Sequence, residues 1–128
     1  MVSLDLDIVV AGQDLDKVCD AAAGKGFKIE AYEHSINLGL AGSDLRIQLH
    51  TDSRYQDFIP RARTKKVLGY RGKVAAVEDV LKGKTWAYQD TTRLRSKRQK
   101  DLADIIRIVE AYPGLRRRLP PEIKKLST

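Results

Sequence analysis

Two aspartates near the start of the chain, Asp5 and Asp7, are spaced for joint metal binding. They lie in Leu4-Asp5-Leu6-Asp7-Ile8-Val9-Val10, which alternates apolar and acidic residues and then turns wholly apolar. That pattern predicts a β-strand with one half-buried face. On a strand, residues i and i+2 point to the same side, with α-carbons about 6.5 Å apart. Both carboxylates can then reach one divalent cation. Magnesium suits hard oxygen ligands and shares its shell with substrate phosphates. The chemistry in view is phosphoryl transfer, which depends on a positioned metal and on charge neutralisation more than on covalent help. Solvent-facing carboxylates also occur on half-exposed strands with no such role, so the pair alone does not specify a site.

Cations able to neutralise phosphates concentrate between Lys82 and Lys100. Lys82, Lys84, Arg93, Arg95, Lys97, Arg98 and Lys100 stand there against one acid, Asp90. This excess is close to the formal charge of the whole chain, +7. Trp86 and Tyr88 are interleaved with it. A basic face with exposed aromatics can hold phosphates and stack a base. A solvated helix face with Trp86 in the core fits the same residues equally well. Within the run, Lys97 and Asp101 are four apart, as are Lys100 and Asp104, which predicts salt bridges along one helix.

The elements that must position these residues follow from the periodicity. After the first strand, Ala11-Gly12-Gln13-Asp14 reads as a turn with Asp14 as helix cap. A helix follows from Leu15 to about Ala23, stopped by Gly24-Lys25-Gly26. Phe27–Glu30 reads as a short strand, and 35–40 with 45–50 as a hairpin about Ala41-Gly42-Ser43-Asp44. In its second arm Leu45, Ile47 and Leu49 face one way, and Arg46, Gln48 and His50 the other. Ser53 is expected to cap a helix from Arg54 to about Arg63, shortened or bent by Pro60. Residues 67–74 read as two extended pieces around a turn, and 78–88 as a helix with Val80, Leu81 and Ala87 as its apolar contacts. The clearest helix spans 97–111, with Leu102, Ile105, Ile106 and Val109 in one stripe. A basic tail from 114 to 128, ending in a short helix from Glu122 to Leu126, is expected to pack loosely. The sum is α+β: a small mixed sheet with helices packed on one face.

At 128 residues with 42% apolar content, the chain suffices for a single compact domain, expected to span 1–128. A lone cysteine, Cys19, excludes an internal disulfide and reads as a buried structural thiol. No basic segment leads into an apolar run at the amino terminus, and no stretch approaches the roughly 18 apolar residues of a membrane span. The expected setting is cytoplasmic, with no membrane partner. His34 and His50 stand apart from any acid or cysteine pattern, and no nucleophilic triad or phosphate loop can be read.

The order of three segments resembles a family. The strand Asp5-Leu6-Asp7-Ile8-Val9-Val10 is followed by a helix and Gly26-Phe27. Then come Val77-Glu78-Asp79-Val80-Leu81-Lys82-Gly83-Lys84-Thr85-Trp86-Ala87 and Lys97-Arg98-Gln99-Lys100-Asp101-Leu102-Ala103-Asp104-Ile105. Together they resemble small bacterial proteins of the polymerase-β-type nucleotidyltransferase superfamily, including those grouped with abortive-infection toxins. The resemblance covers about Leu4 to Pro113. It implies Asp5 and Asp7 as catalytic ligands of Mg2+, and Lys82, Lys84 and Arg98 as nucleotide- or phosphate-binding residues. Two departures accompany it. The family's Gly-Ser turn is expected before the paired acids, where only Met1-Val2-Ser3-Leu4 stand; Gly42-Ser43 lies downstream. The family's third carboxylate is expected on the strand 45–50, where Gln48 takes its place. The expected function is therefore a degenerate or incomplete nucleotidyltransferase-like protein that binds a nucleotide and Mg2+ through Asp5 and Asp7. The alternative is a non-enzymatic module that binds nucleic acid or protein through the Lys82–Lys100 face. A homodimer is a third expectation, because a sheet lacking its usual first strand leaves an edge that a second copy could cover.

Overall fold

The computed structural model describes residues 4–67 and 69–127. They pack as two compact units, Met1–Arg61 and Ala62–Thr128, each with its own apolar cluster.

The first unit is a four-stranded mixed sheet with one helix. Its strands are β1 (Leu4–Val9), β2 (Lys28–Ala31), β3 (Ser35–Gly39) and β4 (Leu45–His50), and its helix is α1 (Leu15–Gly24). The strand order is β1-β4-β3-β2. β1 runs parallel to β4, while β4, β3 and β2 form an antiparallel meander. The alternation expected of β4 holds: Leu49 is 1% exposed and Ile47 half-buried, on the face opposite Arg46. Leu38 and Leu49 pack with Ala22 of α1, and Val18, Cys19, Phe27 and Ile29 complete the cluster. Cys19, expected to be buried, is half-buried among these apolar neighbours.

α1 ends as its glycines foretell. Gly26 adopts φ 90°, a left-handed backbone that favours glycine. Its N–H donates to the Ala23 carbonyl and the Phe27 N–H to the Ala22 carbonyl. These two bonds satisfy carbonyls the helix end would leave open, and Phe27 folds back onto the cluster containing Ala22.

The helix expected from Arg54 to Arg63 is instead a 3-10 segment, Ser53–Phe58. Asp52, not Ser53, caps it, its carboxylate accepting from the Arg54 N–H at 2.9 Å. Pro60 has no N–H with which to reach the Gln56 carbonyl, so the Ile59 N–H takes it in a tighter bond of 3.3 Å. Residues from Arg63 are thereby released to form a strand.

The second unit begins with that strand, β5 (Arg63–Val67), paired antiparallel with β6 (Tyr70–Val74). The hairpin is longer than the extended pieces expected within 67–74. Two long helices follow, α2 (Val77–Gln89) and α3 (Arg95–Ala111). On α3 the expected stripe is seen: Ile105 and Val109 are buried, and Leu102 and Ile106 half-buried. On α2, Leu81 is buried, but Val80 is 37% exposed and the inner face is completed by Gly83 and Thr85. The Thr85 hydroxyl is satisfied by donating to the Leu81 carbonyl at 2.9 Å.

The carboxy-terminal segment corrects an expectation. A 3-10 turn (Pro113–Arg118) and a short helix α4 (Pro121–Leu126) do not form a loose tail. Leu119 is 4% exposed and Ile123 fully buried, in one cluster with Leu81, Ile105 and Val109. The run Arg116-Arg117-Arg118 hides this in the sequence, because only two apolar residues are needed to dock so short an element. Ile123→Ala should therefore destabilise the protein by about 2–5 kcal/mol, read from urea unfolding. A loss below about 0.5 kcal/mol would mean that α4 does not belong to the core.

Candidate functional site

The sheet of the first unit has one apolar face and one polar face. On β1 the polar face carries Asp5 and Asp7, both exposed. Parallel pairing sets Asp5 in register with Arg46, and Asp7 with Gln48. β3 continues the row with Gly39 beside Arg46, Asn37 beside Gln48 and Ser35 beside His50. β2 adds Lys28 and Glu30 at the far side. The chain thus brings two carboxylates, a guanidinium, an amide and an imidazole onto adjacent strands.

His50 is the residue that spacing alone fails to connect. Its Nε2 lies 3.3 Å from Asp7 Oδ1, across 43 positions of sequence. An ionised carboxylate only accepts, so Nε2 carries the hydrogen in this contact. The ring is held from its other side by Tyr55, at a centroid distance of 4.9 Å, and Tyr55 packs edge-on against Phe58 at 5.2 Å. The 53–58 segment thus serves as the support of the imidazole. Gln56 of the same segment fixes the turn after β1: its amide donates to the Val10 carbonyl at 2.9 Å and accepts from the Gly12 N–H at 3.1 Å. His34 also stands beside an acid, with Nε2 3.7 Å from Glu33 Oε1, but both side chains are well exposed.

Arg54 anchors the start of this support by a forked contact with Asp52, Nε and Nη2 to Oδ2 at 3.2 and 2.9 Å. The hydrogen bonds from Arg54 hold the Asp52 carboxyl below the ordinary aspartate value. A carboxyl lowered on folding contributes stability above its unfolded value, and the contribution disappears as pH falls through the folded one. At the β2 edge, the Tyr32 hydroxyl and then Lys28 hold Glu30 low, and Glu30 in turn raises Tyr32. Glu30 stands three strand spacings from β1, about 14 Å, so it is too remote to act with Asp5 and Asp7.

The donor set on β1 fits a magnesium ion that keeps part of its shell for phosphate oxygens and water, which needs one or two carboxylates. Among the described residues, no group of three or more His, Cys, Asp or Glu side chains is placed to enclose a metal. Gln48 occupies the position beside Asp7 where the family resemblance implies a third acid; it is half-buried and offers a carbonyl oxygen but no charge.

The cations expected to join this pair belong to the second unit, and the fold uses two of them internally. Lys84 on α2 bridges to Asp104 on α3 at 3.0 Å. Arg98 donates from Nε to the Tyr88 carbonyl at 2.8 Å, with its guanidinium 5.2 Å from the centre of the Tyr88 ring. Lys82 remains exposed, and with Trp86 and Arg118 it lines a cleft of about 510 Å³. The expected bridges Lys97–Asp101 and Lys100–Asp104 give way to other partners, one of them, Arg107, on the same helix. Asp101, 3% exposed, accepts from Arg93 Nε at 2.8 Å, and Asp104 takes Lys84 with Arg107 at 3.5 Å. A buried carboxylate gains more from a fixed guanidinium than from a lysine on the outer helix face. No protein-family model matches the chain, and no curated protein matches it.

Arg93→Met should cost about 3 kcal/mol by leaving the Asp101 carboxylate buried without its guanidinium, the low end for such pairs because a third of Arg93 is exposed. Lys82→Ala should stay within about 0.5 kcal/mol of the parent in the same unfolding titration. Asp52→Asn keeps the cap but removes the charge, so it should lower stability by under about 1 kcal/mol at neutral pH. That difference should be full above the ordinary aspartate value of 3.8 and vanish as the pH falls further. A gap that widens toward acid would reverse the sign assigned to the Arg54 contact.

Proposed function

We propose that this chain binds a nucleotide together with Mg2+ on the polar face of its four-stranded sheet, as a nucleotidyltransferase-like protein without efficient transfer. The observation that carries this reading is the shared exposed face of Asp5 and Asp7, with Arg46 in register beside Asp5 and His50 3.3 Å from Asp7. Asp5 and Asp7 hold the ion. Bound there, Mg2+ would offset the charge of the phosphates and draw their oxygens toward the two carboxylates. Arg46 holds the phosphates, because its fork suits phosphate oxygens and it shares the face with the acids. His50 positions Asp7 through the 3.3 Å contact of its Nε2 with Oδ1.

Weak transfer follows from Gln48, which stands beside Asp7. A general base must accept a proton from the attacking hydroxyl, and an amide has no basic site for it at neutral pH. The face therefore suits capture of a charged phosphate better than its activation. The resemblance of Asp5-Leu6-Asp7 and of the segments 77–87 and 97–105 to nucleotidyltransferases supports the choice of a nucleotide over other anions.

Calorimetric titration of nucleoside triphosphates with and without Mg2+ or Mn2+ tests the reading. Binding should require the divalent ion and weaken at least tenfold, about 1.4 kcal/mol, in Asp5→Ala and in Arg46→Ala. Binding that ignores the metal, or that is unchanged in Asp5→Ala, would overturn it.

A further inference from the structure

Charge is divided unequally between the two compact units. Residues 1–61 hold six basic and ten acidic residues, a net of −4. Residues 62–128 hold eighteen basic and seven acidic residues, a net of +11. Within the second unit, several cations are neutralised by the packing just described: Lys84, Arg93 and Arg107 pair with Asp104 or Asp101. The β5–β6 hairpin is different. It carries Arg63, Lys65, Lys66, Arg71 and Lys73 in twelve positions and contains no acid. All five are exposed, and among the described residues none is in an ion pair.

The register sorts these side chains onto two faces. Thr64 and Lys66 share one face with Lys73 and Arg71. Arg63, Lys65 and Val67 share the other with Val74, Gly72 and Tyr70. Both faces are thus cationic. On the first, Thr64, Arg71, Gly72 and Lys73 line a shallow concavity of about 430 Å³, with two cations and a hydroxyl around it. At the tip, Val67 and Tyr70 are paired across the strands, and Tyr70 is 79% exposed. Gly69, at φ 83°, supplies the left-handed backbone that a tight connection between them requires.

We propose that the β5–β6 hairpin is a two-stranded ribbon that binds double-stranded DNA in the major groove. The ribbon has the dimensions for it. The B-form major groove is about 12 Å wide and admits two antiparallel strands, whereas the A-form groove is too narrow. Five residues per arm reach about 17 Å along the groove. Cations on both faces meet the phosphate rows on both walls, an arrangement that a single strand, with one row of phosphates, does not require. The exposed Val67–Tyr70 pair at the tip gives apolar contact to base edges, and the Thr64 hydroxyl with Arg71 and Lys73 contacts the backbone. This surface lies in the second unit and does not depend on the nucleotide reading of Asp5 and Asp7.

The test uses the full chain and fluorescence anisotropy with a labelled 25-base-pair DNA duplex at several salt concentrations. The comparison is between Lys66→Ala/Arg71→Ala/Lys73→Ala and a charge-matched triple on α3, Arg95→Ala/Lys97→Ala/Lys100→Ala. All six residues are exposed, and circular dichroism checks that both variants fold. The parent should bind the duplex with affinity that falls steeply with salt. The ribbon triple should lose at least tenfold in affinity and reduce the slope of log K against log salt by about 2.7, while the α3 triple loses less than threefold. Tyr70→Ala should weaken binding without changing that slope. Equal losses in the two triples would show diffuse attraction to the basic unit and overturn the ribbon. Equal affinity for single-stranded DNA or for double-stranded RNA would overturn the groove assignment, as would no binding to the duplex by the parent.

Discussion

The parallel pairing of β1 with β4 is the constraint on which the first unit depends. A parallel pair cannot be closed by a tight turn; it needs a connection long enough to return the chain to the same end. Here the connection is α1 followed by the β2–β3 hairpin, so helix, meander and β1 are tied to one another through β4. The same pairing decides the chemistry of the open face. It places Arg46, Gln48 and His50 beside Asp5 and Asp7, which no local feature of either strand would do. A slip of one residue in β4 would turn Ile47 and Leu49 out of the apolar cluster, so their burial fixes the register of the site.

What stabilises the polar face is therefore mostly beneath it or behind it. The apolar cluster under the sheet sets the strands, and the 53–58 segment backs the imidazole through Tyr55 and Phe58. The two side-chain hydrogen bonds of Gln56 hold the loop after β1 where the strand ladder has ended. A single amide side chain supplies one donor and one acceptor here.

The second unit shows two uses of positive charge. Where helices meet, basic groups neutralise buried or half-buried acids: Arg93 with Asp101, and Lys84 with Asp104. Such pairs gain from restricted solvent access but are costly if a partner is lost. On the hairpin, which has no acid of its own, the same residue types are exposed and, among the described residues, in no ion pair, at a small cost from mutual repulsion that salt screens. The distinction between a structural and an available cation is one of neighbours, not of residue type.

The sequence by itself determined most of the local structure. Alternation placed β1 and β4, the 3.6-residue stripe placed α3, and Gly24-Lys25-Gly26 marked the end of α1, because these signals depend only on residues a few positions apart. It also singled out Asp5 and Asp7, whose shared direction is a property of any strand. Where a signal was mixed, local reading was partial: the helix that Pro60 was expected to shorten is a 3-10 segment ending at Phe58, and three arginines concealed the docking of Leu119 and Ile123. Only the tertiary structure decided which residues accompany the aspartates. His50 reaches Asp7 from 43 positions away, Arg46 stands in register with Asp5, and Arg98 serves Tyr88. Those relations are set by strand pairing and helix packing, whose partners lie far along the chain, and spacing in the sequence carries no measure of them.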